Sequence, residues 1–195
     1  MVRRVCVFCG SSRGSDPAFV AAAQVLGGTL AARGMTLVYG GGKVGLMGAL
    51  ADAVLRAGGQ AIGVIPSSLL AKEVGHDGLT ELHVTESMHE RKALMAELAD
   101  GFIALPGGFG TFEELFEILT WSQLGFHRKP AVVLDVNDFY APLFALIDGA
   151  VDAGFIQPTH RALARRATTV DDALAALVEP LPPTQPKWID RIEQT

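Results

Sequence analysis

Three features of the sequence predict an α/β fold, a single Rossmann-like domain with a mainly parallel sheet and helices on both faces. Short apolar runs alternate with longer stretches rich in Ala and Leu, the order found in parallel sheets with helical crossovers. A length of 195 residues suits one domain, spanning 1–195. Hydrophobic residues make up 49% of the chain, which fits a sheet covered on both faces.

The elements are predicted in order from these runs. Strands are expected at 4–9, 36–39, 61–65, 101–105 and 131–135, with a short extended piece at 81–85. Helices are expected at 17–33, 44–57, 88–99, 111–124 and 139–153. Asp16 and Pro17 read as the N-cap and first residue of a helix, and Gly34 and Gly58 as helix stops. The proline-rich stretch that begins at 181 cannot continue a helix, so 181–195 is predicted to be a surface tail.

The net charge of −5 argues against nucleic acid as a partner, because that binding depends on neutralising many phosphates. A small anion can still be held by backbone N–H groups and one or two cations. No apolar run reaches the ~20 residues that span a bilayer, and no signal peptide is recognisable. We therefore expect a cytoplasmic protein without a membrane partner.

Cys6 and Cys9 form a C-x-x-C pair, which in other settings binds metal or carries redox chemistry. Here the pair falls in a predicted strand, where residues three apart point to opposite faces. The sequence favours two buried, inert thiols.

Glycine and serine cluster after three predicted strands, at 9–12, 40–42 and 107–110. Ligands of open α/β sheets bind beyond the carboxyl ends of the strands. The Gly40–Gly45 stretch matches G-x-G-x-x-G, but the next strand ends without the acidic residue that would hold a dinucleotide ribose. It is not a Walker A motif either, because Val44 follows Lys43 where Ser or Thr is required. Close helix–sheet packing is the alternative explanation for these glycines.

The sequence from Pro106 to Thr111 gives the strongest chemical signal. It follows a strand and opens a helix, so free N–H groups and the positive helix end meet at one anion-binding spot. Thr111 is expected to cap the helix and to donate its hydroxyl to a phosphate. Glu114, expected in the first turn, would face a reacting carbon near the phosphate. A structural turn with a Glu favoured by the helix dipole remains the alternative.

A second cluster, 87–92, begins another predicted helix. Its Arg91 has a planar guanidinium suited to phosphate or a carboxylate. Taken by itself, the cluster is better explained by a solvated charged turn or by local Glu–Lys pairing.

Together the two clusters resemble the LOG (Lonely Guy) family of cytokinin riboside 5′-monophosphate phosphoribohydrolases, often labelled lysine decarboxylase-like. The family pattern P-G-G-x-G-T-x-x-E corresponds to 106–114, and M-H-x-R-K corresponds to 88–92. The similarity extends over roughly 4–160 and includes the glycine turns at 10 and 40–42.

This resemblance implies hydrolysis of the N-glycosidic bond of adenine-type nucleoside monophosphates, giving free base and ribose 5-phosphate. It also implies a homodimer and no cofactor. Arg91 and Glu114 match the catalytic pair. The positions matching substrate contacts are Gly10, Gly41, Glu73, Lys92, Gly107, Gly108, Phe109, Gly110, Thr111 and Thr120. Glu113 and Glu117 match no catalytic position and are expected to be first-turn or solvent-facing carboxylates.

Two alternatives accompany this hypothesis, a general purine-nucleotide nucleosidase acting on AMP or GMP and a non-catalytic nucleotide or molybdenum-cofactor carrier. The retention of both Arg91 and Glu114 favours an enzyme. Pyridoxal phosphate chemistry is not supported, since neither Lys43 nor Lys92 has a partner for the ring nitrogen. The five histidines show no metal-ligand spacing, and no metal is expected.

Overall fold

A computed structural model describes residues 2–73 and 75–181, and within them seven parallel strands form one sheet in the order β4-β3-β2-β1-β5-β6-β7. The strands are β1 (Arg4–Phe8), β2 (Thr36–Tyr39), β3 (Ala61–Pro66), β4 (Glu81–Thr85), β5 (Gly101–Ala104), β6 (Ala131–Leu134) and β7 (Ala164–Ala167). The helices are α1 (Pro17–Ala32), α2 (Gly45–Arg56), α3 (Ser67–Glu73), α4 (Met88–Leu98), α5 (Phe109–Gln123), α6 (Ala141–Asp152), α7 (Pro158–Arg161) and α8 (Val170–Val178).

Both faces of the sheet are covered, as predicted. Along β1, Val5 and Val7 pack with α1, α2 and α8, while Cys6 and Phe8 belong to a second core that includes residues of α4 and α5. Alternate side chains of a strand point to opposite faces, so an almost continuously apolar strand serves two layers. A Cβ on Gly27 of α1 would lie 2.6 Å from the Leu50 carbonyl oxygen of α2, so the two helices touch where one has no side chain.

The position of β1 creates the functional edge of the sheet. β1 pairs with β2 on one side and with β5 on the other, so the chain winds in opposite directions from this point. The loops after β1 and β5 consequently leave toward opposite faces and open a crevice between them, where doubly wound folds bind ligands.

The predicted elements are confirmed to within two residues at each end, and the extended piece at 81–85 is the edge strand β4. Asp16 caps α1 by accepting a hydrogen bond from the Ala18 N–H. Gly34 and Gly58 follow α1 and α2 with φ of 65° and 74°, the left-handed conformation that ends helices.

The structure adds α3, α7, β7 and α8 to the predicted elements. Arg165 and Arg166 form half of the four-residue β7, so this strand has no apolar run by which to recognise it. Instead, Arg166 pairs with Asp135 and Asp138 beside β6. The predicted tail, 181–195, lies outside the described residues apart from Leu181. In the part of the chain described, no helix has both the length and the apolar character needed to cross a bilayer.

Candidate active site

A cavity of about 270 Å³ opens at the crevice beside the ends of β1, β2 and β5, and we call it the central cavity. Loops and helices from both halves of the sheet line it. Its lining residues are Val7, Phe8, Cys9, Gly10, Ser11, Gly40, Met47, Leu69, Met88, Arg91, Met95, Gly108, Phe109, Gly110, Thr111, Glu113 and Glu114.

The turn after β5 approaches the loop after β1 backbone to backbone. The Gly10 N–H donates to the Pro106 carbonyl at 3.1 Å. A Cβ on Gly107 would lie 2.9 Å from the Gly10 nitrogen and 2.1 Å from Thr111 Oγ1, so only glycine fits there. A Cβ on Gly108 or Gly110 would meet no protein atom within 4 Å. Both residues line the cavity, and the space beside them is open.

Helix α5 begins at Phe109 with Gly108 as its N-cap, two residues earlier than predicted. Thr111 therefore does not cap the helix and instead lies buried in its first turn. For the same reason Glu114 lies in the second turn, and the first turn contains no acidic residue. The N–H groups that begin α5 have no partners within the helix, and the residues that carry them line the cavity.

Arg91 enters the cavity from α4 and is only 6% exposed. Its Nη2 donates to the Gly40 carbonyl oxygen at 3.3 Å, and its Nη1 lies 3.7 Å from Met88 Sδ. The buried Nε has no hydrogen-bond partner. Since an unpaired buried donor is costly, this group is available to a ligand or to a bound water.

Glu114 faces the same cavity from α5. Burial raises its pKa to about 7, although the positive charge of Arg91 acts in the opposite direction. The two side chains influence each other through space and form no salt bridge. A carboxyl group with a pKa near 7 can both accept and release a proton at neutral pH.

Lys92 lies beside Arg91 but points out of the cavity, toward α5. Its Nζ donates to Glu113 and, at 2.9 Å, to Glu117. Although burial acts to lower it, these hydrogen bonds leave the pKa of Lys92 raised. The two carboxylates, one turn apart, are therefore partners of Lys92, and the ion pairs join α4 to α5; Glu113 is also exposed to solvent, as expected.

Two further predicted contact positions, Gly41 and Thr120, are not among the residues that line the central cavity. Gly41 has a φ of 75° and packs against β3, where its Cβ would lie 3.3 Å from Ile65, whereas Gly40 lines the cavity. Thr120 is exposed farther along α5, and its hydroxyl donates to the Phe116 carbonyl. Glu73 is the last residue of α3, and its side chain is outside the described part of the structure.

The apolar wall of the cavity was missed at the sequence level. Met47, Met88 and Met95 come from two helices, and Leu69 comes from α3. No motif or spacing in the sequence links these side chains, so only the packing of the three helices brings them together. Phe109, predicted from the motif, is 92% exposed at the cavity rim.

Both cysteines are buried in opposite cores, and burial raises the pKa of each thiol. The prediction of inert thiols agrees with this environment. Among the described residues, no group of three or more His, Cys, Asp or Glu side chains has an arrangement that could hold a metal ion.

Pyridoxal phosphate does not fit the cavity as described. No lysine is among its lining residues in the described part of the chain, and Lys92 is held by two carboxylates on another side of α4. Among the described lining residues there is therefore no amine on which the Schiff base of this cofactor could form.

Comparison with known sequences identifies relatives over nearly the whole chain. The family model described as "Possible lysine decarboxylase" matches residues 47–177. The chain is 50% identical over 179 residues to the cytokinin riboside 5′-monophosphate phosphoribohydrolase of Rhodococcoides fascians, covering 91% of this chain and 90% of that protein. It is 48% identical over 177 residues to the cytokinin riboside 5′-monophosphate phosphoribohydrolase LOG7 of Arabidopsis thaliana, covering 91% and 82%.

Solved structures share the fold at lower identity. The molybdenum cofactor carrier protein of Chlamydomonas reinhardtii superposes with a TM-score of 0.68 at 24% identity, covering 90% of this chain and 96% of that one. The molybdenum cofactor binding protein of Rippkaea orientalis gives a TM-score of 0.67 at 22% identity, covering 90% and 94%. These two similarities establish the Rossmann-like architecture alone. The sequence relatives go further, and on their identity and coverage the protein is a member of the LOG family, the family whose model bears the lysine decarboxylase description.

Proposed function

We propose that this protein is a phosphoribohydrolase that cleaves the N-glycosidic bond of N6-modified adenosine 5′-monophosphates, releasing the free base and ribose 5-phosphate. The observation that carries the proposal is the meeting of Arg91 and Glu114 in one cavity that also contains the start of α5. Relatives at 48–50% identity named for this reaction support it.

The start of α5 would bind the 5′-phosphate. Helix N-termini bind anions through free N–H groups and the positive end of the dipole. Gly108, Gly110 and Thr111 line the cavity at this point. The phosphate takes no part in the bond cleavage, so its binding energy would serve to position the ribose.

Glu114 would perform the chemistry at the anomeric carbon. Cleavage passes through an oxocarbenium-like state, and a nearby carboxylate stabilises its positive charge. The same carboxylate can take a proton from the attacking water, for which a pKa of about 7 is well matched. Arg91, fixed by the Gly40 carbonyl, would favour the ionised form of Glu114 and offer its free Nε to the substrate.

The methionine-lined wall supports a base that carries an apolar substituent. Thioether side chains are flexible and polarizable and adapt to irregular apolar groups. Met47 and Met95 are buried, and Met88 is 42% exposed, so the wall continues to the cavity mouth. A preference for an isopentenyl group over unmodified AMP is therefore expected.

The deciding experiment incubates the protein with AMP and with isopentenyladenosine monophosphate and separates the products by chromatography. Free base from the modified nucleotide at higher kcat/KM supports the proposal, and Glu114→Gln should release none. Equal or better use of AMP would indicate a general nucleotide nucleosidase. Binding without turnover would indicate a carrier, and release of inorganic phosphate a phosphatase.

A homodimer and a cytoplasmic location are further proposals. Large apolar side chains remain on the surface of the single chain, including Phe126 at 67% and Phe155 at 79% exposure. Burial of such side chains against a second copy would remove this apolar surface from water. Light scattering of the purified protein and fractionation of the source cells would test the two proposals.

A further inference from the structure

A second cavity of about 240 Å³ lies on the other side of the Gly107 turn, and we call it the side cavity. It shares Gly10, Ser11 and Gly108 with the central cavity, so the two meet at the start of α5. Arg13 is the only charged residue among its described lining residues. The guanidinium therefore belongs to the same edge of the sheet as the anion-binding turn.

Arg91 is the only positively charged side chain among the described residues that line the central cavity. Glu113 and Glu114 both line that cavity. The positive charge of Arg91 acts on the Glu114 carboxyl, and Lys92 is engaged by Glu113 and Glu117. A phosphate monoester carries between one and two negative charges at neutral pH, so a second positive side chain would bind it more strongly than backbone N–H groups and Arg91 alone.

Arg13 is an unengaged cation at this position. It is exposed, and no salt bridge or hydrogen bond of its side chain is found within the described residues. Its planar guanidinium has five N–H donors that match phosphate oxygens in pairs. The hydroxyl of Ser11, which lines both cavities, lies on the same loop.

The loop that carries Arg13 is fixed on both sides. Before it, the Gly10 carbonyl accepts the Leu46 N–H at 3.0 Å, and a Cβ on Gly45 would lie 2.2 Å from the Ser11 carbonyl carbon. After it, Gly14 has a φ of 73° and its Cβ would lie 2.6 Å from the Phe19 ring. These contacts hold the backbone on which Arg13 is presented beside Gly107 and Gly108.

We propose that Arg13 binds the 5′-phosphate of the substrate together with the N–H groups at the start of α5, and so selects the nucleotide over the unphosphorylated nucleoside. The inference rests on the proposed function, because it assigns the phosphate of that substrate. It names a positioning and specificity residue, not a participant in bond cleavage.

The test measures binding separately from turnover. All proteins carry Glu114→Gln, so that the ligand is not consumed. AMP and adenosine are titrated by calorimetry into this parent and into the same protein with Arg13→Gln or Arg13→Lys added. Arg128→Gln is the matched control, an exposed arginine on the loop before β6 that lies in neither cavity. Losing a charge-assisted contact should raise the Kd for AMP about 10- to 100-fold. The Kd of Arg13→Gln for adenosine should change less than twofold, and so should the Kd of the control variant for AMP. Arg13→Lys should recover part of the lost AMP affinity.

An AMP affinity of Arg13→Gln within twofold of the parent would overturn the proposal, as would an equal loss for adenosine. The proposed function is judged separately, by base release from the unsubstituted protein. A protein that binds AMP through Arg13 without releasing base would refute the function and keep the phosphate contact. Conversely, normal turnover by Arg13→Gln with an unchanged KM would refute the contact and keep the function.

Discussion

Replacing Glu114 with Gln should stabilise the folded protein while abolishing base release. Burial raises the pKa of this carboxyl from 4.5 to about 7, so the folded state retains a proton that the unfolded chain has lost between those pH values. Stability contributed by Glu114 therefore falls as the pH rises through this window. At pH 8 the ionised carboxylate costs about 3 kcal/mol relative to a group that never ionises, and at pH 5 less than ~1 kcal/mol.

A neutral amide of the same shape avoids most of that cost. Glu114 keeps partial contact with solvent, so we expect about half the full value. For a chain of this size, that corresponds to a Tm about 3–6 °C above the parent at pH 8 and within ~2 °C of it at pH 5. Differential scanning fluorimetry at the two pH values measures this difference directly.

Glu117→Gln is the matched control on the same helix. Glu117 accepts a hydrogen bond from Lys92 at 2.9 Å, so its replacement removes a favourable ion pair. That variant should melt below the parent at both pH values. If Glu114→Gln also melts below the parent at pH 8, or gains equally at pH 5 and pH 8, the ionised Glu114 is not the destabilising group and the reasoning is wrong.

Three further predictions address the central cavity and the ion pairs beside it. The kcat/KM should rise about tenfold per pH unit below pH 7 and level off above it, because the reaction needs ionised Glu114, and a flat profile from pH 5 to 8 would contradict this role. Gly40→Ala should reduce kcat at least ~100-fold by displacing Arg91, whose Nη2 would lie 2.2 Å from the new Cβ, whereas Gly28→Ala, with nothing within 4 Å, should keep full activity. Lys92→Met should lower the Tm by several degrees, since hydrogen bonds to charged groups contribute about 1.5–3 kcal/mol, and a change below 1 °C would show that the ion pairs between α4 and α5 are energetically neutral.

The order of strands and helices was predictable because its physical cause is local. Apolar runs such as 101–105 and the N-cap Asp16 report on their own segments, and the structure confirms both. β7 was missed because its two arginines are satisfied by partners far away in sequence, Arg166 by Asp135 and Arg165 by carbonyls after α8. Nothing within the four residues of β7 signals that arrangement.

In the site, too, local features could be predicted from the sequence and contacts between distant residues could not. The glycine turn at 106–111 and its place at a strand end were visible in the sequence, and Arg91 and Glu114 do line one cavity. The environment of Lys92 was not visible in the sequence, because its partners Glu113 and Glu117 come from another helix. The start of α5 was placed two residues late, since Gly108 caps the helix with its backbone alone and has no side chain that marks the position.

The ion pairs of Lys92 have a consequence for how this site can vary. Arg91 and Lys92 are adjacent in α4, and Glu113 and Glu114 are adjacent in α5, so each residue facing the cavity has a direct neighbour in the ion pairs that join the two helices. If either helix rotated or slid by one residue, a reactive side chain would move and a salt bridge between the helices would break at the same time. An engineered exchange of α4 or α5 between relatives should therefore preserve activity only when both helices are transferred as a pair.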